Sequence, residues 1–385
     1  MTGLYGIIQM LYWGIYAIVY GYVSVFLLGV GFSNTAEGML VSLAALGAAF
    51  LQPMIASYAD HKGGKALKQV LLVQVIVYLV SDALLFTLYI SQGNITFMGI
   101  LYAMEILLMQ VLTPFVYSLG TLSIKEGADL DFGLARGLGS SGYSIASFLS
   151  GRAVAAFGIR FVPLVCLPLS VILLILLARF PYHGTKAVEK KTQQKESMLS
   201  FLHRYPQYTK VLIGALFLYS CHMLVNTFGW QILESKGGTS TQLGVGNAIS
   251  SMTEIPVMIL FGRYQSKVKP HFWLIVSGVF YVIRSLGYMF LPSVSAGFYL
   301  MQFLQIASWA VLCIVTVIYT TDVMEEKDEV RGQAYFTMML SVATVLSSTI
   351  GGILLDHFGI TVMLGFALVC SCIGTVIMIS ARKEK

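Results

Sequence analysis

Arg136-Gly137-Leu138-Gly139-Ser140 opens a Gly/Ser-rich apolar stretch that closes at Phe157-Gly158-Ile159. Arg331-Gly332 opens a Ser/Thr/Gly-rich apolar stretch that closes at Phe358-Gly359-Ile360. Each is followed by one more hydrophobic run and a basic end, Ala178-Arg179 and Ala381-Arg382. The two Phe-Gly-Ile tripeptides lie 201 residues apart in a chain of 385, so the sequence reads as one membrane module written twice in the same orientation. Parallel duplication of a six-helix half is an arrangement of secondary transporters.

Working outward, hydrophobic residues make up 57% of the chain and charged residues 11%, against roughly 25% charged in an ordinary soluble domain. A soluble fold of this length could not hide so much apolar surface, so lipid is the expected solvent. About 20 apolar residues cross a bilayer as a helix. Twelve such runs are read at 4–28, 37–60, 67–90, 96–122, 133–156, 160–180, 208–233, 241–262, 272–291, 296–320, 332–354 and 359–381. The first lacks a basic lead and runs on to about Leu28, so it reads as a span and not as a cleavable signal peptide. Cys166, Cys221, Cys313, Cys370 and Cys372 fall inside apolar runs without metal-ligand spacing and read as small buried hydrophobes. No metal or other cofactor is expected. Nor does the net charge of +6 point to nucleic acid, because the cations sort by membrane side.

The connectors at 29–36, 91–95, 292–295 and 355–358 hold no Lys or Arg. The opposite set is basic: Lys62, Lys65, Lys68, Lys125, the stretch from Arg179 to Lys210, Arg263, Lys267, Lys269, Lys327, Arg331 and the carboxyl end. The positive-inside rule then puts both termini in the cytoplasm of a multi-pass protein of the plasma membrane. The one long polar segment, 181–207, is read as a solvated cytoplasmic linker between two six-helix bundles, 1–180 and 208–385, with an amphipathic stretch around Phe201-Leu202.

The segment from Leu51 to Lys65, with Ser57, Asp60, His61, Lys62 and Gly63 in order, resembles the loop between helices 2 and 3 of the major facilitator superfamily. That loop carries a Gly, an Asp and a basic residue followed by Gly; here Ser57 or Ala56 stands for the first Gly. A degenerate copy runs from Pro256 to Lys267, with Arg263 where Asp60 would be. An Asp at that helix end can cap or salt-bridge a neighbouring helix terminus and hold one gate state closed. Asp60, Lys62 and Gly63 are therefore the expected gating residues.

Asp131 through Arg136 and Ser140 to Tyr143 resembles the fifth helix of the lactose permease-like and nucleoside:proton symporter branch, which includes the phenylpropionate permease group. In that branch an Arg of helix 5 contacts substrate, which implies substrate contacts at Arg136, Ser140 and Tyr143. Thr253-Glu254-Ile255-Pro256 is similar to an Ala-Glu-x-Pro stretch of the nucleoside and phenylpropionate members. Tyr281 to Ser285 resembles a ninth helix carrying an intramembrane Arg, here Arg284. Where the lactose permease has a carboxylate in helix 4 and His and Glu in helix 10, this chain has Thr121, Gln305 and Ser308, so that type of galactoside site is not expected.

Ionisable groups at membrane depth are costly enough that function is the first hypothesis for each. They are Asp82, Glu105, Arg136, His222, Glu254 and Arg284. At 1.5 Å per residue, Glu254 lies roughly 12 Å and Arg284 roughly 18 Å from the same surface, so the two could meet. An apolar setting and a nearby Arg pull a Glu toward opposite protonation states. Alternating between them would load and release a proton, which makes Glu254 the expected protonation site and Arg284 its modulator; a static ion pair is the other reading.

Arg136, Ser140 and Tyr143 recur at i, i+4 and i+7, on one helix face. A forked donor, a hydroxyl and a flat ring suit a sugar, a nucleoside, or a carboxylate beside an aromatic ring; a snorkelling Arg136 is the plainer reading. Gly137, Gly139 and Gly142 offer small surfaces for close helix approach. His222 with Asn226, Gln302 and Gln305 with Trp309, and Tyr16 with Tyr20 complete the expected lining. Asp82 and Glu105, at similar depth on helices 3 and 4, are read as satisfied polar contacts, with a shared proton or an outer vestibule as the other readings. The expectation is a monomeric, all-α, proton-coupled transporter taking up a small polar organic solute, its two six-helix bundles rocking about a central polar site and exposing it alternately. Proton-driven efflux and a transport-dead sensor are the alternatives. No nucleophile elbow, paired metal ligands or phosphate loop suggests an enzyme.

Overall fold

Gly158 and Gly359, the middle residues of the two repeated tripeptides, adopt the same backbone conformation in the computed structural model: φ 77 and ψ −176 at the first, φ 80 and ψ 178 at the second. That region is open essentially to glycine alone. The repeated tripeptide therefore marks the same corner twice, where the fifth helix of each half turns into the sixth. The structure describes residues 1–62, 64–182, 197–264, 267, 269–290 and 294–381.

The described residues form helices and no strands. The first half holds α1 (Thr2–Gly21, continued after Tyr22 as Val23–Gly29), α2 (Asn34–Lys62), α3 (Gly64–Ile90), α4 (Ile95–Lys125), α5 (Phe132–Phe157) and α6 (Phe161–Arg179). The second holds α7 (Pro206–Thr227, continued as Gly229–Glu234), α8 (Ser240–Arg263), α9 (Pro270–Phe290) and α10 (Val294–Phe303, a 3-10 turn at Leu304–Ile306, then Trp309–Val323). The final helix, Glu326–Ser380, is broken at Gly359 into α11 (326–358) and α12 (360–380). Ten of the described helices are long and apolar enough to cross a membrane, counting the last as one. The 26-residue α5 is as long but diluted by Gly and Ser. Twelve spans result, the architecture expected.

Local chemistry sets the helix starts. Asn94 caps α4 by accepting from the Phe97 amide at 3.0 Å, and Asp131 caps α5 by accepting from the Leu134 amide at 2.9 Å. Apolar side chains then face outward in rows, with Leu43, Phe50 and Met54 of α2 and Val73 and Val80 of α3 all more than half exposed. In water such rows would cost roughly 25 cal/mol per Å² of apolar area; in lipid they are the proper surface.

Two compact units make up the chain: Met1–Lys191 with Ser240–Ser251, and Thr192–Thr239 with Met252–Lys385. In the first, α1 packs along α5. A Cβ on Gly139 would run into Trp13, and one on Gly142 into the backbone of Met10. Gly137, expected to share that role, has nothing within 4 Å. In the same unit α5 crosses Ser240–Ser251 closely: a Cβ on Gly151 would stand 2.5 Å from the Ser240 carbonyl and 3.0 Å from Gly244. In the second unit α7 packs along the 326–380 helix. A Cβ on Gly374 would meet Leu218 and the Gly214 carbonyl there.

The 181–207 linker lies mostly outside the described residues. Its end forms a short helix, Met198–Arg204, capped by Ser197. This helix is tied down: Arg204 pairs with Asp328 at 3.0 Å, Tyr205 donates to Asp328 at 2.8 Å, and the Arg331 guanidinium lies 4.6 Å over Phe201. Desolvation, then the bond to Asp328, holds the Tyr205 phenol above its usual range. All five cysteines are free; Cys372 is exposed and Cys313 half-buried, so the buried reading fails for those two.

Candidate functional site

The amino-terminal unit builds its polar surface on one face of α1. Gln9, Trp13, Tyr16 and Tyr20 follow at i, i+4, i+7 and i+11, so their side chains stack along one stripe. A relay fixes them. Tyr5 donates to the Val116 carbonyl at 2.9 Å, Gln9 Nε2 donates to Tyr5 Oη at 2.6 Å, and Trp13 Nε1 donates to Gln9 Oε1 at 3.2 Å. Trp13 packs on Tyr16 at 5.2 Å, and Tyr16 stacks on Tyr20 at 5.5 Å and 20°.

Arg136 of α5 rests on this stripe. Its guanidinium lies 4.7 Å over the Trp13 ring and 5.6 Å from that of Tyr117, and Nη1 donates to Ser140 Oγ at 3.0 Å. Such cation–π contacts contribute about 0.5–2 kcal/mol each depending on desolvation. The side chain is half-buried against aromatics. Gly21 brings the backbone close to Tyr143, whose hydroxyl a Cβ there would approach to 3.8 Å. Arg136, Ser140, Tyr143, Tyr16 and Tyr20 thus lie in one unit, and Trp13 and Tyr117 join them.

In the carboxyl-terminal unit His222 stacks on Trp309, rings 3.9 Å apart and 3° from parallel. The Asn226 amide meets His222 Nε2 at 2.7 Å, while Nδ1 is buried without a partner among the described residues. Tyr219 packs edge-on against Trp309 at 6.0 Å. Beside them a recess of about 240 Å³ is lined by Tyr219, Trp309, Thr316, Gln333, Phe336 and Thr337, among others.

Arg284 is 3% exposed and bonded throughout. Nε donates to the Met301 carbonyl at 2.8 Å, Nη1 to Ser308 Oγ at 3.0 Å, and Nη2 to Tyr288 Oη and Gln305 Oε1, each at 3.3 Å. The break in α10 makes this possible, since carbonyls at a helix end lose their helical partners. All four acceptors are neutral, and Glu254 is not among them. Gln305, expected to line the site, accepts one of these bonds from Arg284. Glu254 is half-buried on α8 two residues before Pro256, which removes the N–H that would serve the Met252 carbonyl.

Asp82 and Glu105 depart from expectation. They are 0% and 1% exposed, and neither Asp82 oxygen nor Glu105 Oε1 has a hydrogen-bond partner among the described residues. They are not satisfied contacts. The side chains of Asp60 and Lys62, and Gly63 altogether, lie outside the described residues. At the other end of the second unit, Lys236 donates to the Tyr288 carbonyl at 2.7 Å, and desolvation holds its ammonium below the usual lysine range.

The residues not foreseen fall into two kinds. Gln9 and Trp13 continue the Tyr16–Tyr20 spacing backward and were legible from it. Tyr117, Tyr219, Gln333 and Thr337 carry no spacing signal, because only packing of separate helices brings them to these surfaces.

Comparison with known proteins agrees with this architecture. The nucleoside transporter NupG matches with a TM-score of 0.79 at 14% identity, 99% of each chain covered. The D-xylose-proton symporter matches with a TM-score of 0.71 at 11% identity, covering 99% of this chain and 96% of that one. A bacterial homolog of the human lysosomal transporter Spinster, inward-facing and unoccupied, gives 0.63 at 13% identity over 98% and 94%. No curated protein matches the sequence. At these identities the solved structures speak for the fold alone. The family model described as the MFS_1 like family matches residues 4–366. With twelve spans, a twice-written glycine corner and that match over nearly its whole length, the chain belongs to the MFS_1-like family of membrane transporters.

Proposed function

We propose that the protein carries out proton-coupled uptake of a small polar organic solute, a sugar, a nucleoside or an aromatic acid, by alternating access. The observation that carries the reading is Arg136, half-buried over Trp13 and Tyr117 with Ser140 fixing one nitrogen. A guanidinium so held keeps free N–H donors and lies among flat rings, which is what a ring bearing hydroxyl, imide or carboxylate groups requires. His222, Asn226 and Trp309 supply a second stacked, hydrogen-bonding surface in the other unit. Tyr16, Tyr20 and Tyr143 add aromatic and hydroxyl contacts.

In this reading Glu254 takes up and releases the coupling proton, Arg284 tunes it through the polar groups of broken α10, and Asp60, Lys62 and Gly63 act at a gate. A monomer in the plasma membrane with both termini cytoplasmic belongs to the same proposal. The nucleoside and xylose-proton transporters of the same fold lend it support, since both move polar ring compounds by their names.

The experiment is counterflow and pH-gradient-driven uptake in proteoliposomes with uridine, xylose and phenylpropionate. We expect one class to accumulate with an inward proton gradient, and Glu254→Gln to abolish accumulation while sparing counterflow. Accumulation only with the gradient reversed makes the protein an exporter. Intact proton-driven accumulation by Glu254→Gln removes Glu254 from the coupling role.

A further inference from the structure

Gln74, Tyr78 and Asp82 follow at i, i+4 and i+8 on one face of α3, roughly 12 Å from end to end at 1.5 Å per residue. The helix itself packs against α4 and α6. All three are buried; the Tyr78 hydroxyl lies against the Cys166 thiol, while neither amide atom of Gln74 nor either oxygen of Asp82 has a hydrogen-bond partner among the described residues. Glu105 Oε1 on α4 and Ser170 Oγ on α6 are in the same condition. Buried polar groups are ordinarily paired, so a run of unpaired ones along one face is a departure that asks for a ligand.

The charge environment narrows the ligand. Glu105 feels the charge of Asp82 directly, and no Lys, Arg or His among the described residues acts on either carboxyl. The titratable neighbours are Tyr78 on α3, Tyr102 on α4, Cys166 on α6 and, through Tyr102, Glu37 on α2, which the Ser24 hydroxyl already satisfies. All are acids. Two buried carboxylates that feel each other's charge, out of water and without a cation, oppose each other's ionisation. One proton on either carboxyl removes the repulsion and gives that group an O–H donor.

We propose that Asp82 and Glu105 form a shared-proton site inside the amino-terminal unit, served by the polar face of Tyr78, Gln74 and Ser170. The pair gains one proton in passing from dianion to monoanion and returns it on deprotonation. This deepens the proton-coupled reading and rests on it for what the proton does in transport, not for its presence.

The test is infrared difference spectroscopy of the protein in lipid nanodiscs on a pH jump, for wild type, Glu254→Gln, Asp82→Asn and the Asp82→Asn/Glu105→Gln double variant. Wild type and Glu254→Gln should show a protonated-carboxyl band that shifts in Asp82→Asn and is lost in the double variant. Both substitutions keep side-chain volume; if the double variant does not fold, the shift in Asp82→Asn decides. An unchanged band in the variants overturns the proposal. So does a carboxylate signal that answers a sodium jump at constant pH in place of a pH jump, which would make the site a metal-ion site. Solute uptake into wild-type liposomes is a separate readout: its indifference to a proton gradient sinks the coupled reading while the band still stands.

Discussion

Arg136 and Arg331 open the two repeated stretches, and both are held the same way, lying on aromatic rings and donating to the residue four positions on, Ser140 and Tyr335. What differs is the company. Arg331 lies on Phe201 of the short helix Met198–Arg204, beside the Arg204–Asp328 pair, and so anchors the linker end. Arg136 lies among Trp13, Tyr117 and the Tyr16–Tyr20 stripe. Arg136→Ala should weaken substrate binding roughly tenfold to a hundredfold, the worth of about 1.5–3 kcal/mol for a hydrogen bond to a charged group. Arg136→Lys should recover only part of that, since an ammonium keeps the charge but not the planar fork. Thermal-shift titration with uridine, xylose and phenylpropionate measures both. Trp309→Ala should cost about 0.5–1.5 kcal/mol of binding beyond area, through loss of the His222 stack, read in the same titration. At this scale Arg136 with Ser140 was legible from i, i+4 spacing. The unsatisfied state of Asp82 and Glu105 was not, because spacing along one helix says nothing of what the neighbouring helix offers.

Glycine decides most at the scale of elements. Gly158 and Gly359 sit at φ 77 and φ 80 with extended ψ, and a side chain there is strained whatever the space around it. Gly158→Ala and Gly359→Ala should each destabilise the fold by about 1–3 kcal/mol, seen as a lower unfolding temperature in nanodiscs. Gly137→Ala is the contrast. It lies in helix α5 with nothing within 4 Å of its added methyl, and Ala favours helix by roughly 1 kcal/mol over Gly. Its unfolding temperature should hold or rise. Both tripeptide corners could be read in the sequence because Phe-Gly-Ile recurs. The 3-10 break at Leu304–Ile306 could not, because no Gly or Pro announces it. It forms where Arg284 draws on Met301, Gln305 and Ser308, an interaction between α9 and α10.

For the whole molecule, composition alone required lipid, and the repeat required two like halves; these depend on sums along the chain, which a sequence shows directly. The grouping of Ser240–Ser251 with the first unit was not foreseen. It follows from the small contacts at Gly151 and Gly244, a property of two surfaces meeting. If secondary transport is the function, neither half should suffice: residues 1–180 and 208–385 expressed separately should each lack uptake, with transport by liposome assay returning only on co-expression. The most direct measurement is solute flux in sealed proteoliposomes of the full chain. The account predicts that at least one of uridine, xylose and phenylpropionate accumulates above its outside concentration under an inward proton gradient, and that a protonophore abolishes the accumulation. Flux of solutes from all three classes no faster than through protein-free liposomes, with and without the gradient, would contradict it.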